Sequence, residues 1–292
     1  MPRSKLLRRL VLSLVLGVVA FVGASAYFAW EFTGRSRRAV RPLPADFGFA
    51  VENVGFTTAD GIALKGWYVP CPGATRGVVL LHGNGSTRSQ MTARAKLLRT
   101  AGYAVLLYDA RGHGESGGKH VSVGWYETRD LEAALEFLRA KGCTSLGCVG
   151  ASQGGATIAL AAPRLKNVDW VVLEGVYPDI RTALDRRFRR FLLLPGSVAG
   201  VLMTPLAGWR LGLNVDDIAP IKTIAELPCP VLIMSGEADR HTLVEDTRAL
   251  FAAAREPKEI WLIPDVPHRD LYGAAGQAYE AHLLAFAAKY SR

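Results

Sequence analysis

Short apolar runs alternate along this chain with longer segments of helical spacing. Residues 77–81 (GVVLL), 103–108 (YAVLLY), 145–150, 170–173, 230–235 (PVLIMS) and 259–263 read as strands. Runs so short and so uniformly apolar suit a parallel sheet covered on both faces. Between them, 86–100, 125–140, 153–162, 243–254 and 276–290 carry helical patterns, with Leu131, Ala134, Leu135 and Leu138 sharing one face of the second. Ahead of this alternation, 54–58 and 62–69 are β-rich and flank Asp60-Gly61, the signature of a hairpin turn. The pattern predicts an α/β fold: a mostly parallel twisted sheet with helices on both faces. Ligand sites on such sheets lie beyond the carboxyl ends of the strands.

Three stretches fall outside the rhythm. Residues 10–30 are 21 positions without a charge, reaching about 31 Å as a helix, close to the depth of a bilayer core. Tyr27 and Trp30 stand at its end, where amphipathic rings favour the membrane interface. Two readings stay open. One is a retained transmembrane anchor, single-pass, with the following domain on the extracytoplasmic side. The other is a signal peptide cut after the small-x-small triplet Ala24-Ser25-Ala26, with the domain exported. Residues 1–9 form a basic flank, and 31–48 form a charged, proline-containing linker. The remaining 49–292 are long enough for one α/β domain. Within that domain, residues 178–228 do not simply join two strands. Arg181, Arg186, Arg187, Arg189 and Arg190 precede apolar stretches at 191–194 and 198–206, which reads as an inserted cap of short helices.

The formal net charge of +9 changes the picture only once it is located. Residues 1–41 hold Arg3, Lys5, Arg8, Arg9, Arg35, Arg37, Arg38 and Arg41 against Glu31 alone, which leaves +2 for everything downstream. The cations flank the apolar segment, as they do beside anionic headgroups, and do not coat the domain. No nucleic-acid motif accompanies them, so a nucleic-acid partner is not expected. Of four cysteines, Cys143 and Cys148 are five positions apart and would suit a small disulfide in an exported domain; four inert thiols is the other reading. No cysteine or histidine spacing calls for a metal.

The strongest chemical signal is Gly150-Ala151-Ser152-Gln153-Gly154, a G-x-S-x-G between an apolar strand and a helical run. A sharp strand-to-helix turn there exposes Ser152 Oγ as a nucleophile. A serine hydroxyl needs a base and an orienting acid to attack at neutral pH. His82, His113 and His120 precede Ser152, whereas in folds of this type the base follows the nucleophile. His282 lies inside the last helix and His241 shares the loop of the best acid, which leaves His268, after the last strand, as the base. Asp239 is favoured as the acid, in Gly236-Glu237-Ala238-Asp239 after a strand; Glu237 and, more weakly, Glu174 are the alternatives. His82-Gly83-Asn84-Gly85 follows the strand 77–81 directly. Its Asn84 N–H and that of Gln153 are candidate donors for an oxyanion hole. The glycine-dense loop from Asp109 to Gly118 lacks the ending of a phosphate-binding loop and reads as structural, through an ion pair of Asp109 or Arg111.

HGNG, YDARGHGESGG, GASQGG, GEAD and PH, in that order across 51–290, resemble the α/β-hydrolase superfamily. Within it the chain is similar to N-terminally anchored serine hydrolases of the serine-aminopeptidase-like and lysophospholipase-like branches. The resemblance implies an α/β-hydrolase fold with a small helical cap, a Ser152, Asp239 and His268 triad, and no cofactor. It implies esterase, thioesterase or amidase activity. Separately, the cap's mixture of arginines and apolar residues beside a membrane tether suggests lipid or other acyl-ester substrates, with the membrane a partner through the N-terminal segment; it equally suits helices that cover an apolar pocket while facing water. Two departures stand out: GEADRHTL lacks the proline often found after the acid, and Val-Pro precedes the histidine where glycine is common. Two other functions stay in view. A serine peptidase or amidase would need an acid for the substrate amine, a part Glu174 could take. A hydrolase-like binding protein that has lost turnover would not need the full set of catalytic residues.

Overall fold

The computed structural model describes residues 3–36, 38–192 and 196–292. Arg37 of the linker and Leu193 and Leu194 of the apolar stretch lie outside the described residues. Eight strands form one sheet: β1 (Glu52–Thr57), β2 (Ala63–Val69), β3 (Arg76–Leu81), β4 (Ala104–Tyr108), β5 (Ser145–Ala151), β6 (Trp170–Glu174), β7 (Val231–Gly236) and β8 (Lys258–Ile263). The helices are α1 (Arg3–Thr33), α2 (Thr92–Thr100), α3 (Glu127–Ala140), α4 (Gln153–Ala161), α5 (Ile180–Leu192), α6 (Gly196–Leu211), α7 (Pro220–Thr223), α8 (Val244–Ala253), α9 (Leu271–Ala275) and α10 (Gln277–Tyr290). Strand order is β1-β2-β4-β3-β5-β6-β7-β8. The β1–β2 and β2–β4 pairs are antiparallel and every other pair is parallel.

The central strands explain why the short apolar runs were legible. Every residue of β4, β5, β6 and β7 is buried, so both faces favour apolar side chains, and the polar exceptions Ser145, Glu174 and Ser235 sit at or next to strand ends. One core lies on the side of α3, α4 and α8 and contains Leu131, Leu135, Ile158 and Leu250. The other lies under α2 and α10 and contains Leu98, Trp170, Leu283 and Phe286. The chain leaves β3 toward β4 on one side and returns as β5 on the other side of β3, so a crevice opens at the carboxyl ends of β3 and β5.

Three local features differ from the periodicity. The segment read as one helix over 86–100 is a 3-10 turn, Arg88–Met91, followed by α2. The reason is a long-range bond: the Arg88 N–H donates to Asp109 Oδ1 at 2.7 Å and pins the first turn to the end of β4. The insertion between β6 and β7 has two substantial helices, α5 of 13 residues and α6 of 16, rather than only short ones. The four cysteines are free thiols. Burial pushes the pKa of Cys143 and Cys148 up, Cys148 in the middle of β5, so both stay protonated and inert.

Leu7–Thr33 is long and apolar enough to cross a membrane. Leu10, Leu14 and Leu16 are 60–69% exposed, so this part of α1 packs on nothing in the domain. Its last turns behave otherwise. Ser25, Ala29 and Thr33 are buried, Phe28 meets the ring of Phe188 edge-on at 6.1 Å, and the Arg210 guanidinium stacks over Trp30 at 3.6 Å. The chain beyond α1 runs along the domain: Gly34 bridges to His120, the Ser36 N–H donates to Gly112 O, and Ser89 Oγ donates to Arg41 O.

Trp170, at the start of β6, is fully buried between Tyr103 and Phe286, and its indole N–H donates to Ser291 Oγ at 2.9 Å. Trp170→Ala is expected to lower stability by about 3–5 kcal/mol, read from urea unfolding followed by circular dichroism. A loss under 1 kcal/mol would mean that this core does not depend on the indole.

Candidate active site

The residues singled out by sequence follow the carboxyl ends of four different strands. Asn84 follows β3, Ser152 and Gln153 follow β5, Asp239 follows β7 and His268 follows β8. Ser152 has φ 50° and ψ −112°, a left-handed backbone that a residue with a Cβ adopts only when its surroundings enforce it. The enforcement is visible. The Ser152 N–H donates to Glu174 O at 2.7 Å, which ties the turn to the end of β6. A Cβ on Gly150 would sit 2.4 Å from Gly154 C, and one on Gly154 would sit 2.4 Å from Leu81 O, so only glycine lets the strand, the turn and α4 close so tightly.

His268 Nδ1 and Asp239 Oδ2 are 2.6 Å apart, and the carboxylate is buried while the imidazole is 27% exposed. The other oxygen, Asp239 Oδ1, accepts from the N–H groups of His241 at 2.7 Å and Thr242 at 2.9 Å. The carboxylate is thus fixed in its own loop before it meets the imidazole. Glu237 N–H donates to Ile263 O and Ala238 N–H to Val266 O, which zips the acid loop to the loop that carries His268. Asp239, rather than Glu237, is the acid that meets His268. Ser152 and His268 line the same two cavities.

Two buried imidazoles shape the loop after β3. His82 Nε2 accepts from the Ala110 N–H at 3.0 Å, so its proton sits on Nδ1, which donates to Gly83 O at 2.8 Å. In a planar trans peptide the N–H points opposite the carbonyl. Holding Gly83 O toward His82 therefore turns the Asn84 N–H away from it. His113 Nε2 accepts from the Gly85 N–H at 3.1 Å, with Nδ1 donating to Arg111 O. Burial drives both imidazoles toward the neutral form, His82 down to about 3. Neutral rings can accept a hydrogen bond, which charged ones cannot. Among the hydrogen bonds of the described residues, none uses the Asn84 N–H, and Gln153, as the first residue of α4, has an N–H without an intrahelical acceptor.

A buried brace that sequence reasoning missed lies beneath these residues. Arg94 of α2 reaches Glu174 with Nε at 2.9 Å and Nη2 at 2.6 Å, and its Nη1 lies 2.7 Å from Asp270, two residues beyond His268. Tyr279 of α10 donates its hydroxyl to the same Glu174 carboxylate. Arg94, Glu174 and Tyr279 are all nearly inaccessible to solvent. Burial alone would push Arg94 down, but the charge of Glu174 holds its pKa above the ordinary range and keeps it cationic. The loop from Asp109 to Gly118 is structural, as its composition predicted: Asp109 is buried against Arg88, and Arg111 forks between Asp130 and Asp60.

The two cavities differ in chemistry. One is apolar and roofed by the insertion, with Ile180, Leu184, Met203 and Ala207, together with Phe32 from the end of α1. The other, beside it, is a polar cleft of about 460 Å³ that includes Arg38, Arg187 and Arg269.

Residues 73–216 match the family described as serine aminopeptidase, S33. The uncharacterized protein YfhR of Salmonella typhimurium is 29% identical over 258 residues, spanning 84% of this chain and 82% of its own. The α/β-hydrolase domain-containing protein WAV2 of Arabidopsis thaliana is 28% identical over 272 residues, spanning 85% and 82%. Among solved structures, the Pyrococcus furiosus esterase Pf2001 superposes with a TM-score of 0.75 at 24% identity, over 89% of this chain and 99% of its own.

Two outcomes test this description. Arg94→Met leaves Glu174 buried with half its partners and is expected to cost about 3–5 kcal/mol, measured by chemical denaturation; a change within 0.5 kcal/mol would show the brace to be dispensable. The second concerns pH. Unfolding frees His82 to titrate near its ordinary value of about 6.5, whereas folded it stays neutral down to about pH 3. Its contribution is then complete above pH ~6.5 and erodes as pH falls, because the unfolded chain binds the extra proton. The stability gap between the wild-type chain and His82→Gln should narrow from pH 7 to pH 4, and a gap constant over that range would contradict the neutral-imidazole assignment.

Proposed function

Since the chain belongs to the α/β-hydrolase superfamily, which supports an enzyme of the hydrolase type, we propose that it is a serine hydrolase cleaving carboxylic esters or thioesters through Ser152, His268 and Asp239. The observation that carries this reading is the strained Ser152 turn sharing its cavities with an imidazole already oriented by a buried carboxylate.

In the proposed cycle His268 Nε2 takes the proton of Ser152 Oγ, and Oγ attacks the acyl carbon. Asp239 holds the proton on Nδ1, so that Nε2 is free to act as base, and then stabilises the imidazolium. The N–H groups of Asn84 and Gln153 receive the developing oxyanion. The alcohol leaves with the proton from His268 to give an acyl-enzyme. Water, deprotonated by the same imidazole, then releases the acid and restores Ser152. No cofactor enters this scheme.

The apolar cavity under α5 and α6 favours an acyl or alkyl arm of some length. Phe32 in its wall connects it to a helix able to cross a membrane, which supports substrates drawn from lipids and a position at the membrane surface. Glu174, which the sequence offers to a peptidase as an amine partner, is already taken up by Arg94 and Tyr279. That removes the main sequence support for an aminopeptidase and leaves the ester reading preferred.

A fluorophosphonate probe is expected to label the wild-type chain and not Ser152→Ala, and His268→Ala should lower turnover of p-nitrophenyl esters by about 10⁴-fold or more. The rate should rise with acyl length beyond acetate. Equal labelling of Ser152→Ala would remove the nucleophile, and a profile falling from acetate onward would remove the lipid-like substrate.

A further inference from the structure

The polar cleft beside Ser152 holds an unusual charge balance. Three of its carboxylates are occupied: Asp239 by His268, Glu174 by Arg94 and Tyr279, and Asp270 by Arg94. Three of its arginines are not. None of the ion pairs or side-chain hydrogen bonds among the described residues includes Arg38, Arg187 or Arg269. They come from separate parts of the chain: the stretch after α1, the cap helix α5, and the loop that carries His268. The neighbours of Arg187 on α5 behave differently, since Arg181 pairs with Asp216, Arg186 with Asp246 and Arg189 with Asp185. Arg187 alone among these four lines both cavities, and it is half-buried there. Burial pushes its pKa down from the ordinary value, so the folded chain holds this charge where solvent serves it poorly. A guanidinium in that position lacks the oxygen acceptors that its planar fork would engage in pairs.

We propose that this cleft is an anion subsite, in which Arg187, with Arg38 and Arg269, takes the phosphate or carboxylate of an ester whose other arm is apolar. The proposal rests on the esterase reading and specifies its substrate: an amphiphile with its scissile carbonyl at Ser152, its apolar arm under the cap and its anionic arm among the arginines. An amphiphile of this kind reaches the site either as a dissolved monomer or as a lipid in a bilayer.

The test compares 1-octanoylglycerol 3-phosphate with 1-octanoylglycerol, which share the acyl group and differ in the anion, both as monomers. The wild-type chain should prefer the phosphate in kcat/KM. Arg187→Gln should reduce that preference at least tenfold, mainly through KM, and Arg187→Lys should restore part of it. Arg269→Gln provides a second reading should the α5 substitution perturb folding. Arg189→Gln removes the same charge from the same helix outside both cavities and should leave the preference intact. The proposal is overturned if the wild-type chain shows no preference, if Arg187→Gln retains it, or if it is seen only with the phosphate lipid embedded in phosphatidylcholine vesicles. In that last case the arginines hold the bilayer and not the bound ester. Equilibrium binding of the unreactive ether 1-O-octylglycerol 3-phosphate separates this inference from the esterase reading. Binding that depends on Arg187 without any ester turnover would sink the catalytic reading and keep the subsite. Turnover without such binding would do the reverse.

Discussion

The arrangement depends on one constraint, the backbone turn at Ser152. A residue with a side chain is held at φ 50° by a strand on one side, a helix on the other and a bond from its own N–H to the end of β6. Such a conformation costs on the order of 1–3 kcal/mol, and the packed sheet around it offsets that cost. Strand β5 is buried along its whole length, and β3 and β6 flank it in parallel. Gly150 and Gly154 let the turn sit against Leu81, so Ser152 and the loop after β3 are positioned by the same close contact.

Around that turn, positioning passes through groups whose polar atoms are already committed to one another. Glu174 accepts the Ser152 N–H with its carbonyl and Arg94 with its carboxylate, and Arg94 continues to Asp270, two residues beyond His268. Ser152 and the loop of His268, from distant parts of the chain, therefore share one support centred on the buried Arg94–Glu174 pair. A second support is uncharged. His82 and His113, their rings 5.0 Å apart, fix the loop that bears Asn84 through hydrogen bonds at both ring nitrogens. The ionic brace is strong because it is dry, and the imidazole clamp works because burial keeps it neutral.

Much of this was readable from sequence, and the pattern of success has a physical reason. Buried parallel strands must be apolar on both faces, so their runs announced themselves, and the turn at Ser152 is a local event marked by local glycines. The choice of Asp239 over Glu237 followed from position in a loop, which the backbone bonds of His241 and Thr242 then explain. Arg94 was not readable. It meets Glu174 across 80 positions and Tyr279 across 185, and no spacing rule spans such distances. His82 and His113 were visible only as residues that precede Ser152, since their tautomers emerge from neighbours folded over them. The split of the helix read over 86–100 had the same origin, a bond to Asp109 invisible to periodicity.

The end of α1 has a practical corollary. Phe32 and Thr33 line the apolar cavity, and Phe28, Ala29 and Trp30 are seated against the insertion. The N-terminal helix is therefore part of the wall of the cavity beside Ser152 as well as a candidate anchor. A soluble form trimmed after Thr33 would lack a wall of its own pocket, and whatever it bound there would report on a different chamber. Trimming before Tyr27 would keep that wall while discarding most of the lipid-compatible length.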